Sequence, residues 1–223
     1  MGVAKYAING SSFVGAFVSI TEDYAFTGRN LTNGSKAVLD EVFGAKRIEF
    51  SVMGFDMIGV FARANRNGII FSNMIEDDEL KTFKGFGLEV NVSVLESDLN
   101  AIGNNILAND KIALVNPEYS KKEINSIAET LGVETIPISI GGFKTVGANN
   151  LLTNKGMVIN NRCTEEEKEK IDSITGFESS TTTANLGSVN VGLSAVANSK
   201  GLVAGDETTG FELARMMDAL NIK

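Results

Sequence analysis

The sequence predicts an α+β protein in which five similar modules close into a ring. Its 223 residues carry a glycine every 44 or 45 positions, and similar residues recur at three fixed distances after each of these glycines. The residue 17 positions after each glycine has a hydroxyl or an acidic side chain. The residue 20 positions after it is a glutamate in four repeats, and the residue 24 positions after it is always apolar. Five such units fill the chain, so the repeat is the architecture itself. The periodic glycines are Gly15, Gly59, Gly103, Gly147 and Gly192.

One helix is predicted in each repeat, beginning at the column 17 positions after the glycine. Ser120, Thr164 and Thr209 are each followed three residues later by glutamate, which is the pattern of a capping box. The acidic run 76–79 suits the positive end of a helix dipole in the second repeat. Apolar residues follow at helical spacing. Helices of about 10–12 residues fit, and their ends are predicted at Gly44, Gly87, Gly132 and Gly176.

Strands are predicted on both sides of the helix. The runs 16–20, 60–64 and 193–197 directly follow the periodic glycine and are rich in β-forming residues. Turns rich in asparagine and glycine come next, as at 65–68, and a second strand returns. After the helix, the alternation in residues 88–94 indicates a third strand with one buried face. Each repeat is therefore a βαββ-like module.

A closed ring accounts for the repeats better than an open solenoid. Open arrays need atypical, polar repeats at their ends. Here the fifth repeat is among the most regular, and neither end is a solvated cap. We therefore expect one ring-shaped domain of five repeats, with boundaries at 1–44, 45–88, 89–132, 133–176 and 177–223.

Composition limits the environment and the partners. The net charge is −8, from 28 acidic and 20 basic residues, which opposes nonspecific binding to DNA or RNA backbones. The apolar runs are far shorter than the ~20 residues of a membrane helix. We see no secretory signal, and one cysteine fits a reducing compartment. We expect a cytoplasmic protein that binds neither DNA nor membranes.

The chain lacks the residues that most kinds of enzyme catalysis require. The chain contains no histidine, which excludes Ser–His–Asp and Cys–His catalysis as well as histidine metal sites. Cys163 has no imidazole partner, and one cysteine cannot build a zinc cluster. The carboxylates at 76–79, 165–167 and 206–207 could bind Mg²⁺ or act in pairs, but their positions at helix starts explain them structurally. We expect no enzyme activity, metal or cofactor.

Two asparagine pairs are the candidate contact residues. Asn104-Asn105 and Asn149-Asn150 directly follow the periodic glycine or stand one residue beyond it. Asparagine is disfavoured inside strands, so its repeated use there calls for a reason. Either the side chains cap strand ends and bond neighbouring loops, or they contact a partner.

At these residues the chain resembles the archaeal form of the translation initiation factor 6 family. The similarity covers the whole chain and is strongest in repeats three to five. It rests on motifs in the family's order and spacing, at 101–105, 109–111, 113–118, 145–149, 153–156, 183–187, 191–192, 198–201 and 208–213.

This resemblance implies a pentein-type β/α propeller, with five quasi-identical subdomains about a pseudo-fivefold axis. It also implies a monomer that binds the large ribosomal subunit and blocks its joining to the small subunit. The partner would be a ribosomal protein near the sarcin–ricin loop, with limited rRNA contact. Asn104 matches the asparagine of that protein contact, while Val60 and Asn149 take equivalent rim positions in repeats two and four.

Two other functions stay open at this point. Other penteins modify guanidino groups through a Cys–His–carboxylate site, and the absence of histidine argues against that here. A ring-shaped scaffold for a different protein partner is the third possibility.

Overall fold

The computed structural model describes residues 2–223, which form five three-stranded sheets of one design. In each sheet a short inner strand pairs antiparallel with a middle strand, and the middle strand pairs in parallel with an outer strand. Four sheets follow the chain in order. Their strands are β2 (Val18–Ile20), β3 (Tyr24–Thr27) and β4 (Lys46–Glu49); β5 (Ala62–Ala64), β6 (Gly68–Ser72) and β7 (Asn91–Leu95); β8 (Ile106–Ala108), β9 (Ile112–Val115) and β10 (Glu134–Pro137); β11 (Leu151–Leu152), β12 (Met157–Asn160) and β13 (Ser180–Thr182).

The fifth sheet joins the two ends of the chain. Strands β14 (Ala195–Ala197) and β15 (Gly201–Gly205) are completed by the first strand, β1 (Gly2–Tyr6). Gly2 pairs with Gly201 and Tyr6 with Gly205, in parallel. The first strand thus supplies the outer strand that the last repeat lacks. In the other four sheets, the outer strand lies beyond the predicted boundary, in the next repeat. Every sheet therefore combines strands of two predicted repeats. The boundaries themselves stay a prediction.

One long helix follows the middle strand of each sheet, as the capping pattern predicts, and in four of the five sheets it leads to the outer strand. The helices are α1 (Asn33–Phe43), α3 (Asp77–Lys84), α5 (Lys121–Leu131), α7 (Glu165–Thr175) and α9 (Gly210–Ala219), the last preceding the C-terminus. Capping boxes are present at Ser120, Thr164 and Thr209, and Glu79 accepts from the backbone N–H of Glu76 at 3.1 Å in the second repeat. The helix starts were therefore predicted correctly.

The helix ends agree with the sequence prediction in three of the four predicted places. Gly44, Gly132 and Gly176 follow the last helical residue with left-handed φ values of 57°, 62° and 73°. The prediction at Gly87 was wrong, because α3 ends at Lys84 and Gly85 takes the cap position with φ −64°. Gly87 does adopt a positive φ, but in the loop beyond the helix.

The periodic glycines lie in single helical turns, not at the start of a strand. The predicted strands at 16–20, 60–64 and 193–197 begin two residues later than expected, because their first residues belong to these turns. The turns are a 3-10 turn (Val14–Ala16), α2 (Ile58–Phe61), α4 (Ile102–Asn105), α6 (Val146–Asn149) and α8 (Val191–Ser194).

These five glycines form a closed cycle, which we call the glycine ring. A Cβ atom added at Gly59 would overlap the carbonyl oxygen of Gly15, and the same relation links each glycine to the one before it. Gly15 closes the cycle against Gly192. Because any side chain would collide with backbone there, glycine is required for the turns to meet.

Apolar side chains fill the space between helices and sheets. The second repeat shows the packing most clearly, since Phe83 of α3 meets Phe71 at 4.8 Å and Phe50 at 5.0 Å between ring centroids, edge to face. Such aromatic pairs stabilise a core beyond their buried area. None of the helices in residues 2–223 has the length and apolar character needed to span a membrane.

Candidate interaction surface

The helical turns of the glycine ring and the loops that lead into them form one end of the ring, which we call the turn face. Neighbouring turns contact one another around the cycle. Tight backbone turns precede four of them, closed by pairing of Ile8 with Ser11, Val52 with Phe55, Ile140 with Phe143 and Ala184 with Ser188. The third repeat differs, since residues 96–100 form no such pair.

Two of these tight turns are held by helix-capping glutamates. Glu79 accepts from the backbone N–H groups of Met53 at 2.8 Å and Gly54 at 2.9 Å. Glu212 accepts from Gly187 N–H at 2.9 Å. Burial opposes ionisation of Glu212, but the hydrogen bonds from Thr183, Thr209 and Gly187 outweigh it and lower the pKa of the carboxyl. Sequence patterns identified these residues as caps and missed that they also fix the turn face.

Asn104 stands apart from the other candidate asparagines because part of its amide has no partner. The residue lies on α4 and is partly exposed, and its backbone N–H donates to Ala101 at 3.0 Å. Its Oδ1 atom is buried and accepts no hydrogen bond within residues 2–223. A buried polar atom left unpaired costs roughly 1–3 kcal/mol, so such atoms are few in folded proteins.

Asn105 and Asn150 have structural roles. Asn105 Nδ2 donates to Ala101 at 3.0 Å, and its Oδ1 accepts from Asn116 at 2.8 Å. Asn150 repeats the arrangement with Val146 at 2.8 Å and with Asn160 at 3.1 Å. Both residues tie a helical turn to the middle strand, so they fit the structural interpretation that the sequence had left open.

Asn149 is also enclosed by the protein. Its side chain is 1% exposed, Oδ1 accepts from Thr145 at 2.9 Å, and Nδ2 donates to Asn190 at 2.9 Å. The bond to Asn190 joins repeat four to repeat five. A direct contact with a partner is therefore unavailable to this amide unless those bonds open, although it can set the position of the turn.

Val60 lies on α2 beside an exposed apolar patch. It is partly exposed, and the next residue, Phe61, stacks on Phe55 with 6.4 Å between ring centroids. Phe55 is 48% exposed, and Met53 in the same loop is 41% exposed. The turns that carry Val60, Asn104 and Asn149 contact one another in series, so the structure brings the three predicted residues onto consecutive positions of the turn face.

The thiol of Cys163 is not suited to act as a nucleophile. Cys163 lies between β12 and α7, and burial, with the carboxylates of Glu167 and Glu165, raises its pKa to about 11. Since the thiolate is the reactive form, this thiol is poorly nucleophilic near neutral pH.

Residues 3–219 match the eIF-6 family. The chain belongs to this family. Curated relatives include translation initiation factor 6 of Methanosarcina mazei, 36% identical over 94% of both chains. That of Picrophilus torridus is 32% identical over 98% of this chain and all of the relative. The family assigns the chain to translation initiation.

A solved structure confirms the fold class. Dimethylarginine dimethylaminohydrolase, in an adduct with S-methyl-L-thiocitrulline, superposes with a TM-score of 0.51 over 76% of this chain and 68% of that chain. At 16% sequence identity the likeness concerns the fold alone. The five repeated sheets and this neighbour agree with the pentein-type fold that the resemblance implied.

Proposed function

We propose that this protein binds the large ribosomal subunit through its turn face and prevents premature joining of the small subunit. Membership of the eIF-6 family supports a role in translation initiation. The observation that carries the location is Asn104, whose buried Oδ1 has no acceptor role inside the protein. Because Asn104 is partly exposed, a turn of its amide would bring this oxygen to the surface, where a donor from a docked ribosomal protein would remove the cost of leaving it unpaired.

The surroundings of Asn104 favour a protein as the main partner. The neighbouring turn carries Val60 and follows the exposed ring of Phe55, and the exposed ring of Phe13 precedes the next turn of the cycle. The net charge of −8 opposes broad contact with RNA phosphates. Aromatic residues are enriched in the buried centres of protein interfaces. These features favour a protein as the main partner, and the family resemblance implies a ribosomal protein near the sarcin–ricin loop, with limited rRNA contact. Asn149 would support the neighbouring turn from within.

Occlusion requires no chemistry. A rigid ring covering ~800 Å² of its partner makes an interface of standard size, and a subunit face so covered cannot receive another subunit. The rival guanidino-modifying activity would need a histidine, which the chain does not contain, and the raised pKa of Cys163 makes its thiol a poor nucleophile. We therefore propose a non-enzymatic, monomeric factor.

The test is a subunit-joining assay by sucrose-gradient sedimentation. Purified large subunits are saturated with the protein before small subunits are added, and joined ribosomes are expected to fall in proportion to occupancy. Unchanged joining at saturation would reject occlusion. Release of ammonia or citrulline from arginine-type substrates would instead support the enzyme, and capture of non-ribosomal partners alone would support the scaffold.

A further inference from the structure

A small cavity lies on the axis of the ring, between the inner strands. Its volume is about 30 Å³, enough for about two water-sized particles. The walls are mainly apolar, including Val18, Ile20, Leu107 and Leu151. Three glycines of the glycine ring also line it. The proposed occlusion function uses nothing in this cavity.

Arg63 is the one charged side chain among the residues that line the cavity. It stands on β5, four residues after its ring glycine. The same position in the other repeats holds the uncharged residues Ser19, Leu107, Leu151 and Val196. No requirement of the repeat therefore places an arginine there.

The charged guanidinium of Arg63 has few hydrogen-bond partners and no carboxylate beside it among residues 2–223. Nη2 donates to the carbonyl of Gly103 at 2.6 Å, and Nε is buried without any partner. No carboxylate within residues 2–223 forms an ion pair with it, whereas Arg47 pairs with both Asp40 and Glu49. Burial lowers the pKa of Arg63 to about 10, so the group still carries its charge at neutral pH.

The carboxylates at the far end of the axis form no ion pair with Arg63 among residues 2–223. There a second ring of residues closes the fold: Asn65 donates to Asn109 at 3.1 Å, Asn109 to Thr153 at 2.9 Å, and Asn198 to Thr21 at 3.0 Å. The nearby carboxylates of Glu22 and Asp110 accept from Ser199, Arg66 N–H and Asn154. A space of about 20 Å³ at this end shares Ile20 and Ala108 with the axial cavity.

We propose that the axial cavity binds one halide-sized anion, chloride in the cell, against the guanidinium of Arg63. Arg63 is part-buried, and its Nε is buried without a partner, so an anion in the cavity would pair with a charge that is partly withdrawn from water. The available space admits a monoatomic anion with a water molecule and is too small for phosphate or an organic carboxylate. The anion would neutralise the axis and stabilise the ring, independently of any ribosomal partner.

The direct test is a crystal of the full chain grown in sodium bromide, with data collected at the bromine absorption edge. The expected result is an anomalous peak in the axial cavity, in contact with the Arg63 guanidinium. Anomalous peaks confined to the outer surface, with only water beside Arg63, would overturn the proposal. This measurement needs no variant and so does not depend on the folding of one.

A second measurement gives the energetic consequence. Unfolding temperature is compared in sodium chloride and sodium gluconate at equal ionic strength. Above saturation we expect a rise of about 3–6 °C for each tenfold increase in chloride, since only the folded state holds the site. Arg63→Leu should lose this dependence, and the matched control Arg66→Leu, at an exposed position, should keep it. Equal unfolding temperatures of the wild type in both salts would contradict the proposal.

Discussion

Four asparagines beside the glycine ring share a residue type and differ in what their amides bind. Asn105, Asn149 and Asn150 are satisfied within the protein, whereas Asn104 keeps an unpartnered Oδ1. The sequence located both pairs by their phase in the repeat. It could not separate structural from contact residues, because the deciding partners lie up to 41 positions away along the chain.

Asn104→Ala should weaken binding to the large subunit at least tenfold and leave the unfolding temperature within about 2 °C of wild type. The substitution removes an amide whose Oδ1 bonds nothing in the free protein, so folding loses little. Binding is measured by co-sedimentation with purified subunits, and stability by calorimetry. An equal loss of stability and affinity would assign Asn104 to structure.

Asn105→Ala is the matched control for this variant and should behave in the opposite way. It leaves the amide of Asn116 without its acceptor, which costs roughly 1–3 kcal/mol of unfolding free energy. We expect a lower unfolding temperature by several degrees and, at temperatures where the variant is folded, nearly normal affinity.

Helices were predicted more accurately than strands. A capping box has a fixed three-residue spacing, so it can be read locally, and it placed the starts of α5, α7 and α9 correctly. The last residues of the short turns around Gly15, Gly59 and Gly192 were predicted as strand, because a stretch that short carries no helical periodicity. The long-range roles of Glu79 and Glu212 could not be predicted from local patterns, because their carboxylates accept from backbone N–H groups 25 or 26 residues away along the chain.

Glu212→Gln should lower the free energy of unfolding by roughly 1–2 kcal/mol at pH 7. The folded-state pKa of Glu212 is depressed below its ordinary 4.5, so its stabilisation is present above that pH and is lost as pH falls through the depressed value. The gap between variant and wild type should therefore narrow below about pH 4.

Urea unfolding from pH 3 to pH 7 measures this effect. Glu166→Gln, which changes an exposed carboxylate in the first turn of α7, is the control and should follow the wild type within about 0.5 kcal/mol. A constant gap between Glu212→Gln and wild type across the whole range would show that the charge of Glu212 contributes no stability.

At the scale of the molecule, the sequence repeat predicted a ring, and the contacts around the ring axis explain why a glycine recurs in every repeat. The periodic glycines are present because five helical turns meet backbone to backbone around one axis. The sequence also contained the first strand, but only the fold shows that residues 2–6 complete the fifth sheet. Pairing between the two ends of a chain leaves no local pattern.

Gly103→Ala should destabilise the protein by more than about 3 kcal/mol or prevent folding. Its Cβ would overlap the carbonyl oxygen of Gly59, and backbone on both sides limits adjustment. Gly210→Ala is the control, because it lies in α9 with open space around an added Cβ and alanine favours helix there. Thermal unfolding of the two variants should differ sharply, and equal stability would contradict the crowded axis.

Removal of residues 2–6 should open the ring. The deletion exposes one edge of β15 and breaks five residue pairs of the fifth sheet. We expect a lower unfolding temperature and concentration-dependent aggregation, measured by calorimetry and light scattering. Removal of Lys223, an exposed terminal residue, should change neither property. Wild-type behaviour of the shortened chain would show that closure contributes little.

Binding to isolated ribosomal subunits tests the central claim most directly. The purified protein is centrifuged with large subunits and, separately, with small subunits, and the bound fraction is measured in each pellet. We predict saturable, equimolar binding to large subunits, reduced by Asn104→Ala, and no binding to small subunits. Failure to pellet with large subunits, or equal pelleting with both, would contradict the proposed function.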